Sequence, residues 1–111
     1  MEHSIGKTDG TNVNRLPGLE ERAGLEAGAL SKAASSNPNE IADAIVSMDV
    51  LAKEVIENGT TKSVSQNKTL SWKEGVKIPE RGIGVYRFDG KIQSVQPMTR
   101  QKFNREGVSI P

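Results

Sequence analysis

The segment from residue 37 to residue 59 constrains this chain most, because it carries a start signal, an apolar stripe and a stop signal for one long helix. Asn37 is a favoured N-cap, Pro38 has the fixed φ that suits a first helical position, and Glu40 stands where a capping-box acid belongs. Ile41, Ala44, Ile45, Met48, Leu51, Ala52, Val55 and Ile56 then recur at helical spacing and form one apolar stripe. The spacing predicts a helix over 38–58. Asn58-Gly59 ends it, with Gly59 expected in the left-handed conformation of a helix C-terminus. The stripe also fits the 3.5-residue period of a coiled coil, over only about three heptads.

A helix with one apolar face must pack on something, and the residues after it supply β-structure. Val64, Leu70 and Trp72 share one parity over 61–72, which predicts a half-exposed strand interrupted by Gln66 and Lys68. Val76 to Ile78 can form a short strand that Pro79 stops. Asp89-Gly90 between two β-rich runs is the favoured pair for a two-residue type I′ hairpin, so strands are expected at 82–88 and 91–96. That turn sets Phe88 opposite Lys91, Arg87 opposite Ile92 and Tyr86 opposite Gln93. One face then holds Tyr86, Phe88 and Val95, and the other Ile83, Val85 and Ile92. A short helix over 99–106, capped by Thr99 and docked by Phe103, completes the pattern. The fold class is α+β: one amphipathic helix on a small antiparallel sheet.

Residues 1–36 read differently. Gly, Asn, Thr and Asp dominate 1–17, which predicts disorder. Leu19, Ala23, Ala27 and Leu30 make a weak stripe over 18–34, interrupted by Gly24 and Gly28, each costing about 1 kcal/mol inside a helix. Two readings stand for this stretch: a flexible linker, or a nascent helix that orders only against a partner. The division is a flexible tail at 1–36 and a module at 37–111, in which all four aromatics (Trp72, Tyr86, Phe88 and Phe103) reside.

Composition removes several chemistries. The chain of 111 residues has no cysteine, which excludes disulfides, thiolate zinc sites and a cysteine nucleophile. The single histidine, His3, lies in the tail, far from the positioned environment that a general base needs. Gly6-Lys7-Thr8 lacks the first glycine and preceding strand of a phosphate-binding loop. Neither an apolar run of membrane length nor a secretory leader is legible. No cofactor, metal or membrane insertion is expected. A cytoplasmic protein or a component of a macromolecular assembly is.

Charge is segregated. Residues 37–59 carry five acids against Lys53, a net −4, whereas residues 60–111 carry ten basic and four acidic side chains, a net +6. The leading expectation is a non-enzymatic interaction or assembly component, like small structural or accessory proteins of bacterial or phage assemblies, binding another protein or its own copies. Ile83, Val85 and Ile92 on the hairpin, with Leu19 and Leu30, are the candidate interface, because both hairpin faces are apolar. The alternative is a nucleic-acid-binding accessory protein. Its candidate surface is Lys73, Lys77, Arg81, Arg87, Lys91, Arg100 and Lys102, with Lys62, Lys68 and Arg105 nearby and the aromatics interleaved.

Overall fold

A computed structural model describes residues 15–107. Helix α1 (Leu16–Ala23) and a 3-10 turn (Ser31–Ala34) lead into helix α2 (Pro38–Asn58). Strands β1 (Thr60–Ser65), β2 (Lys68–Lys73), β3 (Arg81–Phe88) and β4 (Lys91–Thr99) follow, and helix α3 (Arg100–Glu106) ends the described chain. The strands form an antiparallel meander in the order β1-β2-β3-β4. The α+β class stands, with the amphipathic helix on the sheet.

α2 has the expected bounds, but its ends are held differently. The Asn37 side chain accepts from Asn39 N at 2.9 Å. Instead of reaching back itself, Glu40 accepts from the Ser35 hydroxyl, and Ser35 Oγ accepts from Asn37 N at 3.0 Å. Serine thus relays the capping-box bond. Gly59 is extended, with φ −94 and ψ −164, rather than left-handed. Glycine is required there by space: a Cβ would come inside 3.0 Å of the Trp72 and Val55 carbonyl oxygens.

The single strand expected over 61–72 is two strands. Ser65 pairs with Lys68 across a tight turn, with Asn67 at φ 65, a conformation asparagine tolerates better than most residues. The 76–78 strand is absent; those residues form a bend in the β2–β3 connection. Asp89 and Gly90 both have positive φ, 52 and 80, as a type I′ turn requires. The two turns are joined by Asp89 N donating to the Asn67 oxygen at 2.8 Å. The expected hairpin register holds for Phe88↔Lys91 and Arg87↔Ile92 and then slips: Tyr86 faces Ser94 and Val85 faces Val95, because Gln93 is extruded as a bulge. Val95 thereby moves to the face of Val85. β4 also runs through Pro97, which edge strands accept because no sheet partner needs its missing N–H.

Pairing and parity divide the sheet into two faces. On the helix face, Ile83, Val85 and Val95 pack with Leu16, Leu19, Leu30, Met48, Leu51, Ala52 and Val55. On the aromatic face, Leu70, Trp72 and Met98 pack with Phe103 of α3, flanked by Val64 and Tyr86.

The boundary expected at residue 36 is therefore displaced. Leu16, Leu19 and Leu30 are fully buried in the main core. One of the two glycines that argued against a helix ends it: Gly24 takes φ 72 as the C-cap, and Leu25 N donates back to the Glu20 oxygen at 2.9 Å. The Glu20 carboxylate, 4% exposed, then gathers the following loop, accepting from Gly28 N (3.0 Å), Leu30 N (2.8 Å) and Ser31 N (2.6 Å). The disorder expected over 1–17 fails at its end, where Leu16 and Pro17 open α1 and Leu16 is fully buried. Its remainder, residues 1–14 with His3 and Gly6-Lys7-Thr8, and the expected extended piece at 108–111 lie outside the described residues.

Candidate functional site

The five candidate interface residues are used inside the chain. Ile83, Val85, Leu19 and Leu30 are at most 3% exposed, and Ile92 packs against the same cluster. Sequence reasoning set the 38–58 helix on one hairpin face and left the second to the weak 18–34 segment, a copy or a partner; in the structure α1 and the bulge that aligns Val95 with Val85 bring these residues into one core.

Apolar surface is exposed elsewhere, around a groove between the end of α1, the middle of α2 and the β2–β3 connection. Val46 is 62%, Val50 59%, Val76 62% and Leu25 38% exposed. Ala23, Leu51, Val55 and Ile83 line the groove behind them, and its volume is about 200 Å³. The connection is fixed in place by Val76 N donating to the Arg22 oxygen at 2.9 Å, while Arg22 Nη1 donates to the Gly82 oxygen at 3.1 Å. Burial, and then the charge of nearby Arg81, lower the Arg22 pKa. A guanidinium stays protonated regardless. The polar rim holds the Lys73–Glu54 ion pair, with Glu74. Val46 and Val50, four residues apart, sit on the solvent face of α2, and Asp43, Lys53, Glu54 and Glu57 follow at three- and four-residue steps on that face. These valines were the legible signal: they fall off the stripe that defines the helix.

The predicted basic residues do not form one surface. Lys73 pairs with Glu54, and Arg100 pairs with Glu80 at 2.8 Å and Glu74 at 3.4 Å while lying 4.7 Å over the Trp72 ring. Lys77 and Arg81 line a small recess of about 40 Å³ with Arg22 and Glu21. Arg87 is half-buried on the helix face; its Nη2 donates to Ser71 Oγ at 3.3 Å, and its buried Nε has no hydrogen-bond partner among the described residues. Lys102 sits in the first turn of α3, where its backbone N donates to Thr99 Oγ1. Lys91 stands on a strand of the aromatic face, paired with Phe88.

The aromatic face has its own order. Trp72 and Phe103 stack at 5.7 Å between centroids and 16° between planes, and Trp72 Nε1 donates to the Met98 oxygen at 2.8 Å. Lys62 Nζ lies 4.7 Å over Phe103 and Lys68 Nζ 5.0 Å over Tyr86. Burial pushes the Tyr86 phenol up, helped by the charge of Glu106 and a hydrogen bond to it, so the ring stays neutral. Among the described residues no group of three or more His, Cys, Asp or Glu side chains is placed to hold a metal ion, and no helix is long and apolar enough to cross a membrane. No family model, curated protein or solved structure matches this chain.

Proposed function

We propose that this chain is a non-enzymatic interaction component that holds an apolar segment with basic flanks, presented by another protein, in the groove between α1, α2 and the β2–β3 connection. The observation that carries this reading is the exposure of Val46, Val50, Val76 and Leu25 around one concavity; among the other large aliphatic residues described, Ile78 alone is comparably exposed, at 52%. Contiguous apolar surface rimmed by polar groups is a mark of association sites. At about 200 Å³ the groove is smaller than the roughly 300–1,000 Å³ of small-molecule sites and suits an anchoring side chain.

Charge selects the occupant. α2 carries a net −4, and the acids on its solvent face surround the two valines. Stacking α2 on α2 of a second copy would set like charge on like charge, which is costly at an interface. A partner with Lys or Arg beside its apolar anchors avoids that cost.

A displayed peptide library tests the reading, with Val46→Asp/Val50→Asp as counter-selection. Enrichment of apolar peptides flanked by Lys or Arg, lost in the double variant, supports it. Enrichment indifferent to the double variant overturns it. So does a concentration-dependent dimer, seen by light scattering and dissolved by that variant, because a second copy would then own the groove.

A further inference from the structure

The tip of the aromatic face carries a feature independent of the groove. Lys68, Phe88 and Lys91 stand directly opposite one another across β2, β3 and β4. Directly paired residues share a face, with Cβ atoms about 5 Å apart. Phe88, 47% exposed, therefore has a lysine on the strand at either side, with the Lys68 ammonium leaning over the neighbouring Tyr86 ring. In the next row Lys62 pairs with Leu70, which pairs with Tyr86, on the same face. Among the described residues Lys62, Lys68 and Lys91 make no ion pair with a carboxylate, unlike Lys32, Lys73 and Arg100. Lys62 and Lys68 lean on rings instead. Two acids face this region: Glu106, engaged with the Tyr86 hydroxyl, and Asp89 in the turn.

We infer that this face binds single-stranded nucleic acid, with Phe88 stacking on a base and Lys62, Lys68 and Lys91 neutralising phosphates. An exposed aromatic ring beside cations that no carboxylate neutralises is the combination that strand-tracking surfaces use, since every base offers a π-face and every linkage a charge. A single strand presents unstacked bases to such a ring, whereas a duplex hides them.

Fluorescence anisotropy of a labelled oligothymidylate and the matching oligouridylate, titrated with the full chain from low to high salt, tests this. Three neutralised phosphates give a log–log salt slope of about −2, at roughly −0.7 for each phosphate on a single strand. Lys68→Gln/Lys91→Gln should bring that slope to about −0.7. Phe88→Ala should weaken binding about fivefold or more at fixed salt without changing the slope, and Phe88→Trp should restore it. Tighter binding of either oligomer supports the site and assigns the preferred polymer. Absence of an anisotropy change with both at the lowest salt overturns the inference. So does binding that ignores both the Phe88 and the lysine variants, or that is lost in Val46→Asp/Val50→Asp.

Discussion

The two faces of the sheet are covered by unequal means. The helix face lies under α1, the 3-10 turn and the 21 residues of α2, and its Ile83, Val85 and Val95 side chains are sealed to within a few per cent of complete burial, with Ile92 partly covered beside them. The aromatic face lies under the seven residues of α3, held by Phe103, and the rest of it is shared between rings and the ammonium groups above them. Aliphatic side chains have no polar handle, so they gain only by full exclusion of water. Rings can be half-covered by cations and still be favourably placed. One face therefore stabilises the fold, and the other retains surface chemistry. Gly82 and Gly84 fit this division: a Cβ on Gly82 would strike the Trp72 ring, and one on Gly84 the Met98 thioether.

The contrast can be broken by substitution. Leu19→Ala should cost about 3 kcal/mol of global stability, in line with buried leucine truncations of roughly 2–5 kcal/mol, measured by urea unfolding. A loss below about 1 kcal/mol would mean that α1 is not part of the sealed face. Phe103→Ala should cost about 2 kcal/mol, less than truncations in sealed cores, because α3 can detach alone. Hydrogen exchange should show Arg100–Glu106 losing protection while β3 and β4 keep theirs; uniform loss would show that both faces unfold as one.

Glu20→Gln should cost about 1–2 kcal/mol at neutral pH, since it exchanges a charged acceptor of three backbone N–H groups for a neutral amide. Burial opposes the Glu20 charge, but the Gly28, Ser31 and Leu30 N–H bonds outweigh it and hold the carboxyl below the ordinary glutamate value. A depressed folded-state pKa contributes stability that is fully present above the unfolded-state value and lost as pH falls through the folded one. The wild-type advantage over Glu20→Gln should accordingly shrink on acidification; an advantage that persists unchanged would remove the charge from the explanation. The smallest effect belongs to the open face, where Phe88→Ala should leave the melting midpoint nearly unchanged, within about 0.5 kcal/mol.

Local signals were read well where one segment decides its own conformation. The cap and stripe of α2, the Asp89-Gly90 turn and the Thr99-capped α3 all came from neighbouring residues. The candidate sites were read less well. Val46 and Val50 could be seen as off-stripe valines, but the groove needs Leu25 and Val76 from distant segments. Lys91 opposite Phe88 is legible from the Asp89-Gly90 turn, whereas Lys68 on the other side of Phe88 follows from the pairing of β2 with β3.

The two copies of Gly-Leu-Glu mark the limit. In the first, Leu19 is fully buried and Glu20 binds three backbone amides; in the second, Leu25 is 38% exposed and Glu26 faces water. Identical tripeptides have identical propensities, so nothing local separates them. The sequence by itself determined that α2 is a helix with one apolar face, that the chain turns at Asp89-Gly90, and that charge is split between acidic and basic halves. Only the tertiary structure decided that the N-terminal leucines complete the core, that Gln93 leaves the ladder, and which cations keep their charge unpaired. Each of those depends on partners far apart in the chain, and burial is a property of the packed assembly of segments rather than of any one of them.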